Sequence, residues 1–204
     1  MPIYIRAIQR KSFVVALLTI VVTGLTGWNT AQAADGPDAA IRERLDDCAV
    51  CHGEQGASVN PEIPILAGQE MYYLYVQLKD FKAGRRTNTI MQTIAGTMKK
   101  AEMKKIAQFF SEQKWPNTGF KADPVKAAKG ETSANSGQCV ACHLGNYFGA
   151  SRIPRLAGQH PAYLTKTMMD FKHHIRKNSP SVAALLASYG DDDLINMAEY
   201  MGNM

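Results

Sequence analysis

The four cysteines of this chain all belong to one pattern, written twice: Cys48-Ala-Val-Cys51-His52 and Cys139-Val-Ala-Cys142-His143. Two thiols three positions apart, with an imidazole directly after the second, make the attachment pattern of a c-type haem. About one turn of chain sets the thiols against the two vinyl groups of the macrocycle, which they join as thioethers. The histidine is then aimed at the iron from the proximal face. Other uses of cysteine fit less well. A structural zinc site needs four ligands, and each motif offers three with no fourth Cys or His nearby. A redox-active pair does not call for a trailing histidine twice over. A disulfide framework does not fit a long chain whose cysteines stand in two tight pairs. Cys48, Cys51, Cys139 and Cys142 are therefore read as anchors of two covalently bound haem c groups, and His52 and His143 as proximal iron ligands.

A low-spin haem iron takes a sixth ligand. In the first half the candidate is Met91, within Arg86-Thr-Asn-Thr-Ile-Met-Gln-Thr-Ile-Ala-Gly-Thr97. It is expected in a loop that folds over the far face of the haem. Met98 and Met103 are expected to pack in the core, the ordinary use of methionine. A thioether on iron raises the reduction potential relative to a second imidazole, so the first haem is expected to be a fairly high-potential electron carrier.

These residues are positioned by a duplicated unit. The first motif recurs in the second at a spacing of 91 residues, and Pro64, Leu66, Ala67, Gly68 and Gln69 recur as Pro154, Leu156, Ala157, Gly158 and Gln159 at 90. Tyr73-Leu74 and Asp80-Phe81-Lys82 return as Tyr163-Leu164 and Asp170-Phe171-Lys172. Agreement over so long a stretch marks an internal repeat. Apolar spacing predicts helices from Asp38, as cap, into Cys48, over 70–83 and over 99–113, the last with Met103, Ile106, Phe109 and Phe110 inward. The second unit repeats the order, with a helix before Cys139, one from Pro161 to about His174 and one from Asp191 to about Met201. The fold class expected is all-α, with domains over 34–115 and 116–204 and a Trp-Pro-Gly linker near 114–121. Units this small make a marginal core from their own side chains, and a haem in each supplies the missing apolar interior.

Residues 1–33 are expected to be a secretory signal peptide. Arg6, Arg10 and Lys11 precede an apolar run over 13–25, and Ala31-Gln-Ala33 offers the small-x-small cleavage pattern; an uncleaved anchor is the alternative. Its removal takes three of 23 basic residues and no acidic one, leaving 20 against 18. A balance that close gives little support for nucleic-acid binding. Lys99, Lys100, Lys104 and Lys105 make a basic face on one expected helix, either plainly solvated or a dock for an acidic redox partner. No nucleotide loop, dinucleotide fingerprint or nucleophile with its base is present, so an enzyme is not expected.

The two CxxCH units, with Ile63-Pro-Ile-Leu-Ala-Gly-Gln69, Ile153-Pro-Arg-Leu-Ala-Gly-Gln159, Asp80-Phe-Lys-Ala-Gly-Arg-Arg-Thr-Asn88 and Asp191-Asp-Asp-Leu-Ile-Asn-Met-Ala-Glu-Tyr200, resemble the diheme cytochrome c4 family over essentially the whole mature chain. The first unit is also similar to the haem-binding subunit of flavocytochrome c sulfide dehydrogenase, notably in Thr89-Ile-Met-Gln-Thr-Ile-Ala-Gly-Thr97. The resemblance implies two tandem class I cytochrome c domains meeting across a pseudo-twofold interface. It implies periplasmic electron transfer, with a terminal oxidase as a frequent acceptor, and His52 with Met91 and His143 as iron ligands.

One segment departs from the family. Asp170-Phe-Lys-His-His-Ile-Arg-Lys-Asn-Ser-Pro-Ser-Val-Ala183 has no methionine where the second distal ligand belongs. Aligning from Phe171 sets Ser181 opposite Met91, and aligning back from Leu194 sets Val182 there. His160, Met168, Met169 and Met197 are read as helix-start or packing residues. His173 or His174 is expected either to ligate the second iron or to be a solvated surface residue; a five-coordinate or water-bound iron is a second reading, and a methionine from elsewhere or a lysine as ligand a third. The function expected is an electron carrier between a donor and a terminal acceptor. The alternatives are an electron-transfer subunit of a sulfide or thiosulfate dehydrogenase, with membrane association through its partner, or a haem enzyme or sensor acting at an open second iron.

Overall fold

The computed structural model describes residues 39–204, with side chains from 41. The expected signal segment 1–33 and the Asp38 cap lie outside the described residues. Within them the chain is helical and has no strand, only one isolated bridge pairing Ala150 with Ile153. No helix among them is long and apolar enough to cross a membrane.

The first half is built from α1 (Ala39–His52), α2 (Met71–Lys82), α3 (Thr89–Thr97) and α4 (Lys100–Ser111). Helix α1 does not stop at Cys48; it carries the whole first motif to its last residue, His52. Gly53 then turns the chain at φ +76, where a Cβ would lie 2.6 Å from the Ala57 carbonyl oxygen. Helices α2 and α4 pack on each other and close a core of Leu74, Phe81, Met98, Met103, Ile106 and Phe110, with Ile41 and Leu45 from α1. Met98 and Met103 are buried at 1% exposure, as expected of packing methionines.

The second half repeats the plan with α5 (Pro124–Ser136), α6 (Val140–His143), α7 (Pro161–Lys172), α8 (Pro180–Leu186) and α9 (Asp191–Gly202). Asp123 caps α5 by accepting from Val125 and Lys126 N–H, with proline at the first helical position. Here the helix bearing the motif is broken at Gln138, φ +50, so the second CxxCH occupies a separate short turn. Leu164, Phe171, Leu194, Met197 and Met201 fill the core at the places of Leu74, Phe81, Met103, Ile106 and Phe110. Helix α5 crosses α9 so closely at Gly130 that a Cβ there would lie 2.0 Å from the Asn196 carbonyl oxygen.

Met91 was expected in a loop and instead stands third in α3. The local cause is Asn88, whose side-chain oxygen accepts the Met91 N–H at 3.0 Å and so starts a helix. Burial of Ala95 and Met98 then holds that helix on the core.

Candidate haem-binding sites

The two CxxCH motifs present the same donor set. Nδ1 of His52 donates to the Pro64 carbonyl at 2.9 Å, and Nδ1 of His143 donates to the Pro154 carbonyl at 2.9 Å. A carbonyl only accepts, so each ring carries its proton on Nδ1, and Nε2 is left as a lone-pair donor, the state a metal-bound histidine needs. Burial pushes both imidazoles below their ordinary pKa, against the opposing pull of these carbonyl bonds, and Arg86 lowers His52 further. All four cysteines are unpaired. Burial, with help from Asp47, pushes the Cys48 thiol up to about 11, and burial raises Cys139 as well. These are neutral thiols, not the depressed thiolates of a redox pair.

Half-buried apolar side chains at matching positions pack against the two cores. Cys48, Leu66, Leu78, Met91 and Phe109 border the first core, and Cys139, Leu156, Met168, Val182 and Tyr200 border the second. Two buried donors, Trp115 Nε1 and the Tyr147 hydroxyl, have no protein acceptor. Since buried polar groups are normally paired, these two fit a fold completed by a group that brings its own acceptors, as haem carboxylates do. The residues present therefore fit a covalently held haem in each half.

Between the halves lies a reciprocal interface. Ile65 N–H donates to Gln159 Oε1 and Gln159 Nε2 donates to the Ile65 carbonyl, both at 3.0 Å. With the roles exchanged, Arg155 N–H donates to Gln69 Oε1 at 2.7 Å and Gln69 Nε2 donates to the Arg155 carbonyl at 2.9 Å. Tyr73 N–H reaches the Ser151 carbonyl and Tyr163 N–H the Pro61 carbonyl, at 2.9 and 3.1 Å. Arg86 donates to the Tyr163 hydroxyl at 2.9 Å and Arg176 to the Tyr73 hydroxyl at 3.3 Å. Each contact has a mirror contact about ninety residues away, as a twofold-type interface between duplicated units requires. Burial alone would raise the Tyr163 phenol; the guanidiniums of Arg86 and Arg176 outweigh it and bring the group down to about 7.

The symmetry fails ahead of α8. Asn88 caps α3, whereas its counterpart Asn178 does not cap α8. One additional residue, Ser179, intervenes and takes the capping position without a side-chain bond. Asn178 instead reaches across to Gln77 at 3.0 Å and to Asp80 at 2.8 Å. The Gln77 carbonyl oxygen also accepts from Arg86 at 3.0 Å and from Arg176 at 2.8 Å. The segments leading into α3 and α8 thus meet at one buried amide.

His173 and His174 are exposed at the end of α7. His174 takes the left-handed backbone, φ +56, that Gly84 takes in the first half at +70. His173 lies near Asp191, whose carboxyl is held below its ordinary range first by the hydrogen bond from Lys172, with a smaller contribution from His173. His160 spends Nε2 on the Ser58 carbonyl across the interface at 2.9 Å. Sequence reading missed Gln77, Arg176 and Asn178 as a network. The signal that could have found part of it is the repetition of Tyr73, Arg86 and Asn88 as Tyr163, Arg176 and Asn178.

Comparison with known proteins agrees with this geometry. The cytochrome c family model matches residues 39–114. Cytochrome c4 of Pseudomonas aeruginosa is 32% identical, over 95% of this chain and 98% of its own. A thiosulfate dehydrogenase electron acceptor of Stutzerimonas stutzeri is 33% identical, over 85% of this chain and 88% of its own. The crystal structure of reduced recombinant cytochrome c4 from Pseudomonas stutzeri superposes with a TM-score of 0.73 at 30% identity, over 83% of this chain and all of that one.

Proposed function

Because the chain belongs to the cytochrome c4 family, we propose that it relays electrons in the periplasm between a donor and a terminal acceptor such as an oxidase. It is a c-type electron carrier of two cytochrome c domains, with covalently bound haem c as its cofactor and redox proteins as its partners. Haem c supplies a reversible one-electron iron couple when bound.

Cys48 and Cys51 anchor the first haem, and Cys139 and Cys142 the second. His52 and His143 are the proximal ligands, and Met91 is the distal ligand of the first iron. The observation that carries this reading is the repeated pairing of a histidine Nδ1 with a proline carbonyl, which frees Nε2 beside two unpaired cysteines in both halves. The four thiols hold the haems in place, burial keeps both imidazoles neutral while the carbonyl bonds keep them aligned, and the Gln69 and Gln159 contacts keep the two centres at a constant separation.

The exposed lysines Lys99, Lys100 and Lys104 at the start of α4 offer a dock for an acidic partner, whereas α9 opens at the equivalent place with Asp191, Asp192 and Asp193. Complementary charge speeds encounter more than it tightens binding. An expected signal peptide over 1–33 supports export.

A second reading, electron acceptor of a thiosulfate dehydrogenase, draws on the relative of that name. The test is to purify the protein from a strain competent in c-type cytochrome assembly, count haems by intact mass, and follow reduction by a purified thiosulfate dehydrogenase and reoxidation by an oxidase. Two haem masses with fast reoxidation are expected. Fast reduction by the dehydrogenase would select the second reading, and a chain without haem would end both.

A further inference from the structure

We propose that the iron held by His143 keeps an exchangeable sixth position beneath an apolar ceiling headed by Val182, and that this position takes a small uncharged ligand such as a diatomic gas. The inference rests on the reading of the second CxxCH as a haem site.

Helix starts settle which residue stands where Met91 stands. Asn88 and Ser179 are the N-caps of α3 and α8, and Lys99 and Gly190 those of α4 and α9. Both pairs are 91 residues apart, whereas α2 and α7, from Met71 and Pro161, keep a spacing of 90. The additional residue therefore falls before α8, and the third residue of that helix, Val182, matches the third residue of α3, Met91. Both are half-buried against their cores. A valine has no donor atom, so α8 offers no ligand at the place of Met91.

The methionines, His173, His174 and Lys172 of the second half do not occupy the place of Met91. Met197 and Met201 are buried in the core on α9, at 1% and 2% exposure. Met168 and Met169 stand on α7 where the first half has Leu78 and Lys79, positions that provide no ligand there. His173 and His174 are exposed at the far end of α7, His173 beside Asp191. Lys172 is engaged with Asp191. The α8 segment, Pro-Ser-Val-Ala-Ala-Leu-Leu, carries no charge, and Ala183 and Leu186 are its buried residues. An apolar wall disfavours an anion, which would lose its hydration without a partner, and admits a neutral molecule. Val182, half-buried against a core that includes Ala183 and Leu186, thus leaves the place of Met91 without a donor.

The test uses the holoprotein. Intact mass first counts the haems; fewer than two would fail the haem reading itself and this inference with it. With two haems present, the reduced protein is titrated with carbon monoxide. One equivalent per chain is expected, with near-infrared magnetic circular dichroism of the oxidised protein showing thioether ligation at one haem of the two. Val182→Met is expected to abolish carbon monoxide binding and to raise the thioether signal from one haem to two. The paired variant His173→Ala with His174→Ala is expected to leave the stoichiometry at one. No uptake, uptake at both haems, thioether ligation at both haems of the unaltered protein, or a site that opens only in the histidine variant would each overturn the proposal. Should Val182→Met not accumulate with haem, the unaltered protein and the histidine variant still decide.

Discussion

Replacing Gln159 by leucine tests how firmly the two halves are joined. The side chain is 2% exposed and makes three hydrogen bonds: it accepts from Ile65 N–H and His160 N–H and donates to the Ile65 carbonyl, each at 3.0 Å. Leucine keeps much of the volume and removes all three. A net contribution of about 1 kcal/mol per bond gives roughly 3 kcal/mol, and the Ile65 groups left buried without partners push the cost higher. At about 2–4 °C per kcal/mol for a chain of this size, the melting midpoint falls by roughly 6–12 °C. The matching change, Gln69→Leu, removes the bonds to Arg155 N–H and carbonyl and to Glu70 N–H. The reciprocity of the interface makes its expected cost similar. The assay is thermal unfolding of the holoprotein followed by far-ultraviolet circular dichroism, with haem content checked first. A fall under about 1 °C for both variants would refute the claim that these amides join the halves. A large fall for one and none for the other would refute the reciprocity.

Met91→Ala removes the proposed distal thioether: the first haem is expected to lose its near-infrared thioether signal, to bind carbon monoxide when reduced, and to titrate at a lower potential. Replacing Cys139 and Cys142 together by serine is expected to leave a protein with a single covalent haem by intact mass. Gly130→Ala sets a Cβ against the Asn196 backbone carbonyl, which cannot swing away as a side chain could. A loss of about 1–3 kcal/mol is expected by urea unfolding, exceeding any gain in helix propensity. Tyr163 is held at about 7 in the folded protein by Arg86 and Arg176, against about 10 for an unfolded tyrosine. Its contribution to stability is complete above about pH 10 and is lost as pH falls through about 7, so the urea midpoint is expected to rise with pH across that window and Tyr163→Phe to flatten the rise.

Local chemistry was legible because it is written in neighbours. Thiols three apart with a histidine beside them, a gap-free recurrence of Leu-Ala-Gly-Gln, and apolar residues at helical spacing each act over a turn or two of chain, and they marked the anchors, the duplication and the long helices. Helix α3 was missed because its apolar residues were read as a covering loop, although Asn88 three positions before Met91 is a helix-starting signal in its own right. Ser181 and Val182 both remained open as counterparts of Met91, since counting forward and counting backward disagree by one and a sequence does not say where the additional residue falls.

By itself, the sequence determined that the chain has two helical halves, each with the thiols and imidazole for a covalent haem, because those groups are consecutive along the backbone. Only the tertiary structure decided what the duplicated residues do against each other. Gln159 meets Ile65 across 94 positions, and Asn178 meets Gln77 across 101, separations over which no periodicity carries information. Only the fold, too, assigned Val182 to the place of Met91, because the caps of α3 and α8 mark positions in space rather than along the chain. The physical reason is common to these cases: a hydrogen bond is selected by distance and direction after packing, and packing of the second half around one additional residue leaves Asn178 to the interface and Val182 at the place of Met91.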